Sequence, residues 1–585
     1  MKFFLKSYFF CLLISISACS KDPAKTPTVT NPESVSEGFV KANGKRLYQG
    51  NNEVLLKGVG LGGWMIQEGY MLGTSGPQNE IRTKLEGLAG YAATEQFYTN
   101  WLNTFVTERD VKQIADWGYN SIRLPMHYNL YFDASGNWVE NSVGLKLTDD
   151  LLKWCKSNNL LLILDLHAAP GGQGNNKDIS DRKEGFSLWT DTKFQDMTVL
   201  MWTKLAERYK DEKSIAGYDL LNEINYDFEA TGNTKGCSCV VNAPLFNLYK
   251  RIIDAIRKVD KNHLVILEGN CYGNNYKGLE SLTSYDTYRN VALSFHSYWS
   301  QNNDTAIADI LSYRDKYNVP IWQGETGENS NTWFNEKTSH LKQQSIGWAN
   351  WPWKKINNLD GPIIIKPIQE WNKIVSYWSN ASNPKPTTLE AQTALTKFIE
   401  NLKLDNCILM NGVSYAYLDK PASAYSTNAI PGKIYVSEYD EGKLNISWSD
   451  VDYQNTSGSS SNTAWNKGVE FRNDGVDIYK NDDLVLGNGF YVGSIASGEW
   501  LKFSLASGVG STYDIQLRIR QKQTIPAKIV LEIDGVVISS FQVPFEGNNW
   551  VSSTIKTVSI PAGSSLKILF ENGGFDLSSV DFIKK

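Results

Sequence analysis

Two glutamates close apolar, β-prone runs in this chain: Glu223 ends GYDLLNE (217–223), and Glu325 follows Gly324 in PIWQGETGE (320–328). Each should sit where a buried strand opens into a loop, about 100 residues from the other. Such a pair can divide proton transfer from nucleophilic attack. Cleaving a glycosidic bond needs one protonated acid for the leaving oxygen and one ionised carboxylate on the opposite face of the sugar. The chain carries 63 acidic residues, most of them solvated surface, so the pair means something only through its neighbours.

Those neighbours recur at other strand ends. Arg123 lies in SIRLPM, His167 ends LLLILDLH, Asn222 precedes Glu223, His296 and Tyr298 end VALSFHSY, and Trp348, Trp351 and Trp353 lie on IGWANWPW. Each alone has a dull reading as an ion pair or a satisfied core residue. Together they would meet at one mouth if the runs were the strands of a barrel, where barrel enzymes keep their sites.

The elements needed to position them are legible. From about 37 to 410 eight apolar runs, at 54–64, 121–126, 160–167, 217–223, 263–270, 291–298, 320–326 and 346–353, alternate with helical patterns. That alternation predicts a (β/α)8 TIM barrel. A doubly wound open sheet is the alternative, but no glycine-rich dinucleotide fingerprint follows the first run. Thr107-Glu108-Arg109-Asp110 predicts a capping box, with Val111, Ile114 and Ala115 on one helix face and Gly118 as the stop. Beyond about 430, short alternating strands separated by Gly, Asn and Ser predict an all-β, jelly-roll sandwich. The expected units are a signal at 1–18, a tether at 19–36, the barrel at 37–425 and the sandwich at 430–585.

In combination, RLP, the NE of the fourth run, HSY, GE and GWxxW resemble glycoside hydrolase family 5, over about residues 40–400. The resemblance implies a retaining double displacement, with Glu223 as acid/base and Glu325 as nucleophile, their carboxyls about 5–5.5 Å apart. It further implies that Arg123 and Tyr298 hold Glu325, that His296 supports the acid/base, and that Asn222 bonds the 2-hydroxyl. Trp351 would form the sugar platform, with Trp353 as its partner. GVGLGGWMIQEGY (58–70) and LDLHAAPGGQGNN (164–176) look like the exo-β-1,3-glucanase branch, which places Glu68 and His167 at the sugar of the non-reducing end. Gly60 stands where that branch carries Asn, and Ile224 replaces the usual Pro. A β-glucan is therefore the expected substrate, β-1,3 favoured over β-1,4. Mannan, xyloglucan or a glycoconjugate on the same machinery, or glycan capture without catalysis, are the alternatives.

The sandwich resembles a family 6 carbohydrate-binding module in VSEYDEG, GFYVGSIASGEWLKF and GGFDLSSVDFIK. That implies Glu438, Tyr491, Trp550 and Asp576 as ligand candidates and a structural calcium with no assigned ligands. The second cleft aromatic of that family is Ser553 here.

Composition sets the remaining bounds. The net charge of −5 gives no basic stripe and excludes nucleic acid as the main partner. The 19 Trp and 29 Tyr suit sugar-binding platforms, although many belong to the core. MKFFLKSYFFCLLISISAC reads as a secretory signal, and its ISAC end resembles a lipobox with Cys19 as the lipidated residue. The expectation is a monomer held at the cell envelope by acyl chains, or secreted, needing no catalytic cofactor. Cys237 or Cys239 is expected to bridge to Cys271, with the choice open.

Overall fold

The computed structural model describes residues 38–283, 290–453, 466–506 and 510–585. The expected signal, tether and Cys19 lie outside the described residues.

Eight parallel strands close a barrel: β1 Lys57–Gly60, β2 Ser121–His127, β3 Leu161–Ala168, β4 Ile215–Asp219, β5 Leu264–Glu268, β6 Val291–His296, β7 Ile321–Gly327 and β8 Gly347–Trp351. They pair in chain order, and β8 returns to β1 through Trp348↔Lys57. Every residue of β2 and β3 is buried, as expected for parallel strands covered on both faces. The capping box forms as read: helix α3, Glu108–Trp117, starts on Thr107, whose N–H and hydroxyl both donate to Asp110. Gly118, at φ +100°, ends it.

The segment between β1 and β2 holds two further helices, α1 Gln78–Ala89 and α2 Tyr91–Thr104. Ahead of them, Glu68 pairs with Pro77 in an isolated bridge. The Gly76 N–H then donates to Asp178 (3.3 Å) and the Asn79 N–H to Asp181 (2.7 Å) in the loop after β3. These bonds build a wall beside Glu68.

Two antiparallel sheets follow, with a core of their own from Ile434 to Phe582. One contains β11 Ile478–Lys480, β12 Phe490–Ile495, β19 Phe575–Lys584, β14 Ser511–Gln521 and β17 Val551–Ile560, in that spatial order, with β9 Gly432–Tyr435 also on β19. The other orders β10 Trp448–Ser449, β13 Glu499–Ser504, β18 Ser565–Asn572, β15 Ala527–Ile533 and β16 Val536–Val543. The sandwich is stitched to the barrel just past β7. The Asn331 N–H donates to the Asn473 carbonyl, and the Asn473 side chain donates to the Asn329 carbonyl, both at 2.8 Å.

Candidate active site

The two glutamates meet. A carboxylate oxygen of Glu223, a ring nitrogen of His296 and a carboxylate oxygen of Glu325 all lie within 4.8 Å of one another. Glu223 sits beyond the paired part of β4, at φ +41°, a left-handed conformation unusual for glutamate. Its N–H donates to Glu268 Oε2 (2.7 Å), and its Oε1 lies 2.8 Å from His296 Nδ1. Glu325 is held through both oxygens: Arg123 Nη1 donates to Oε1 (2.6 Å) and the Tyr298 hydroxyl to Oε2 (2.5 Å). A Cβ at Gly324 would stand 2.4 Å from Ser294 Oγ and 3.0 Å from His296 Nε2, so glycine lets the histidine close on the pair.

Arg123 is fully buried and touches four carboxylates: Glu325, Asp219 (2.9 Å), Glu268 (3.0 Å) and Asp165 (3.2 Å). Its Nη2 also donates to Asn222 Oδ1 (2.9 Å), leaving the Asn222 amide nitrogen 3.2 Å from His167 Nε2. His167 Nδ1 lies 2.8 Å from Asp165, and its ring stacks on Trp351 with centroids 4.9 Å apart. Trp351 Nε1 donates to the Tyr70 hydroxyl (2.8 Å). A Cβ at Gly60 would lie 2.5 Å from this indole, so the departure from Asn at Gly60 makes room for Trp351. Glu68, nearly buried, approaches His167 Nε2 at 3.7 Å.

Six acids (Asp165, Asp219, Glu268, Glu325, Glu223 and Glu68) thus face Arg123, His167 and His296. Full ionisation of every acid would leave an uncompensated negative charge, so some must hold protons. Burial, helped by the charges of Glu325 and Glu268, pushes the Glu223 carboxyl up against its contact with His296. Burial also pushes Glu68 up, to about 7. Burial acts the same way on Glu325, but His296, Arg123, His167 and the Tyr298 hydroxyl outweigh it and hold that carboxyl below its usual value. His167 is raised to about 10: burial lowers it, but Asp165, Glu68 and Glu325 prevail. Two carboxyls pushed in opposite directions are what separate acid from nucleophile.

Residues 81–357 match the family model of cellulases, glycosyl hydrolase family 5. This segment is similar to family 5 glycosyl hydrolases. A beta-xylosidase of Phanerodontia chrysosporium is 31% identical over 261 residues, which are 44% of this chain and 52% of that protein. Endoglucanase C of Acetivibrio thermocellus is 26% identical over 333 residues, covering 46% of this chain and 90% of the relative. A probable glucan 1,3-beta-glucosidase A of Aspergillus fumigatus is 26% identical over 269 residues, 44% of this chain and 58% of the relative. The chain therefore spans about half the length of the first of these relatives. Residues 472–582 match a carbohydrate binding module of family 35, in place of the family 6 that the segment resemblances implied.

Against this geometry the expectations divide. Glu223, Glu325, Arg123, His167, Asn222, His296, Tyr298, Trp351 and Glu68 form one connected cluster. Trp353 does not join it. Its side chain is buried, donates to Asp110 (3.0 Å) and packs edge-on against Trp117, so it belongs to the layer behind the strands. Sequence reasoning missed Asp165, Asp219, Glu268 and Tyr70. The signal was available for the first three: a lone carboxylate in or ending an otherwise apolar strand.

In the module, Arg520 gathers three of the four candidates. It pairs with Asp576 (2.7 Å), donates to the Tyr491 hydroxyl (3.0 Å) and lies over the Trp550 ring at 4.7 Å. Asp576 is fully buried and also binds Lys522, so it is a support beneath the surface and not a direct ligand. Glu438 stands apart, accepting from Asn488 at 2.9 Å. Elsewhere in the sandwich, Asp450, Asp452 and Glu499 bring carboxylate oxygens within 4.8 Å of one another. Burial and Glu499 push Asp450 to about 9, and burial pushes Glu499 to about 7. Three crowded hard-oxygen donors fit a calcium ion.

Cys237 bridges to Cys271, which settles the pairing left open, and Cys239 stays free and buried.

Proposed function

We propose that the barrel hydrolyses a β-glycosidic bond by double displacement, with Glu325 as nucleophile and Glu223 as acid and then base. The observation that carries this reading is the short approach of the two carboxyls, within 4.8 Å at their nearest named atoms and shifted in opposite directions. Inverting enzymes need about 6.5–9.5 Å between carboxyls to admit a water, whereas retaining ones use about 5–5.5 Å. Glu325 attacks the anomeric carbon while Glu223 gives its proton to the leaving oxygen. Glu223, then ionised, takes a proton from water, which displaces Glu325. Arg123 and Tyr298 keep the nucleophile charged and aimed, and Asn222 meets the 2-hydroxyl.

The substrate is a β-glucan, with β-1,3 linkages favoured, taken from its non-reducing end. Glu68 and the wall tying Gly76 and Asn79 to the β3 loop support an end-on pocket, and the glucan 1,3-beta-glucosidase relative supports the linkage. The beta-xylosidase relative favours a second reading, a β-xyloside on the same machinery. The sandwich holds the glycan through Trp550 and Tyr491, with calcium at Asp450, Asp452 and Glu499 bracing its loops. Cys19 would carry the acyl anchor of an envelope-bound monomer.

The test is trapping with 2-deoxy-2-fluoro-β-glucosyl and β-xylosyl fluorides, followed by peptide mapping. An adduct on Glu325 is expected, and the sugar that traps faster names the substrate class. An adduct on any other residue refutes the assignment.

A further inference from the structure

Tyr298 lies beyond the end of β6, so something other than strand pairing must hold its segment against Glu325. The helix Asn331–Gln343, just after β7, supplies that hold. Lys337, buried on it, donates to Ser297 Oγ (3.2 Å) and Ser300 Oγ (3.1 Å), and Trp333 Nε1 donates to the Ser300 carbonyl (2.9 Å). Ahead of the helix, the Asn329 amide donates to the Tyr298 carbonyl (3.4 Å). Ser330 caps the first turn by accepting from the Trp333 N–H (3.3 Å).

The start of that helix is in turn fixed by a residue of the sandwich. Asn473 binds it three times. Its carbonyl accepts from the Asn331 N–H (2.8 Å), and its amide donates to the Asn329 carbonyl (2.8 Å) and to Asn331 Oδ1 (3.1 Å). Asn329, Ser330 and Asn473 are all buried, so breaking these bonds leaves polar groups that water does not reach. Asn473 is itself clamped on both sides. Arg472 donates to Glu441 Oε2 (2.9 Å) and lies 3.9 Å over the Tyr439 ring, whose hydroxyl donates to Asp474. Glu441 also meets the barrel. A Cβ at Gly412 would stand 2.5 Å from its Oε2 and 3.1 Å from Asn331 Nδ2, so glycine lets the helix Asn411–Tyr417 close on both. Capturing a glycan asks only for a tether between two units. A buried polar joint on the loop after the nucleophile asks for fixed geometry.

We propose that Asn473 is a positioning residue of the active site: through it the sandwich fixes the start of the helix Asn331–Gln343, and through that helix the Tyr298 hydroxyl on Glu325. This rests on the reading of Glu325 as the ionised nucleophile.

The experiment uses the full chain and 2,4-dinitrophenyl β-glucoside or β-xyloside, whichever the wild type hydrolyses faster. Such a substrate has one sugar ring, no chain for the sandwich to capture, and a leaving group that needs no proton. Asn473→Ala removes both donated bonds and keeps the carbonyl bond to Asn331. Loosening a donor raises the pKa of the carboxylate it serves. The acidic limb of kcat/KM in folded Asn473→Ala should therefore move to higher pH by roughly half a unit, the scale of one weakened hydrogen bond. Tyr298→Phe should move it further, and adding Asn473→Ala to Tyr298→Phe should move it no more, because residues acting through one contact do not add. Arg123, His167, Glu223, His296, Glu68 and Tyr70 also act on Glu325, but none of them bonds to Asn329, Asn331 or Asn473. An unmoved limb in folded Asn473→Ala would overturn the proposal, and so would a shift that adds in full to that of Tyr298→Phe. Should Asn473→Ala not fold, Asn331→Ala removes one acceptor of the same amide from the barrel side, with a smaller shift expected and the same refutations. An unmoved limb in Tyr298→Phe would instead remove the underlying reading, and this proposal with it.

Discussion

Replacing Tyr298 with phenylalanine removes a single oxygen from the active site and leaves the ring that packs there. That oxygen donates to Glu325 Oε2 at 2.5 Å in a buried setting. Hydrogen bonds to charged groups contribute about 1.5–3 kcal/mol, and one pKa unit corresponds to about 1.4 kcal/mol. Losing the donor should raise the Glu325 pKa by roughly one to two units if the whole energy appears there. His296, Arg123 and His167 remain and still favour the carboxylate, so the lower end of that range is expected. The sign follows: Glu325 works ionised, so activity falls as pH drops through its pKa, and raising that pKa moves the acidic limb of kcat/KM to higher pH. The assay is a pH profile on an aryl glycoside whose leaving group needs no proton, which removes Glu223 from the rate. An acidic limb that stays in place, or moves to lower pH, would refute the claim that Tyr298 stabilises the charged nucleophile.

Three further outcomes are expected. Glu223→Gln should cost about a hundredfold or more in kcat/KM on an unactivated oligosaccharide, and the alkaline limb that the raised Glu223 pKa sets on that substrate should disappear from the variant's residual profile. Trp353→Ala should destabilise the barrel by about 3–5 kcal/mol in chemical unfolding, with KM unchanged in the folded enzyme because the ring packs on Trp117 away from the cleft. Calcium should raise the melting temperature of the sandwich, by an amount equivalent to about 2.7 kcal/mol at a hundredfold excess over its dissociation constant. EDTA or Asp450→Asn should abolish that gain in calorimetry.

The barrel was legible because its strands are buried on both faces, so the chain had to spell them as uninterrupted apolar runs. The polar residues ending those runs had to face the mouth, which made Arg123, His167, His296, Tyr298 and Glu325 readable one strand at a time. Glu268 ends LVILE in the same way as Glu325 ends its own run. Only three-dimensional contact shows that it serves Arg123, His296 and the Glu223 backbone and does not itself face the sugar. Trp353 misled for a different reason. Residues two apart share a face only while a strand continues, and β8 stops at Trp351 before a separate short strand begins at Lys354. Asp576 misled because a carboxylate on a sheet face can be spent on an arginine from the adjoining strand, here Arg520, its register partner.

Arg123 links β2 to acids on β3, β4, β5 and β7, so the same guanidinium that serves catalysis also laces half the barrel together. Removing one member of such a buried set costs about 3–5 kcal/mol because the others are left uncompensated, and effects within one network do not add. Mutational order is thereby constrained: the centre of this barrel can be exchanged as a block but hardly eroded one residue at a time. A lineage abandoning hydrolysis would be expected to keep this charged lattice long after the substrate had gone, as a fossil maintained by the fold alone.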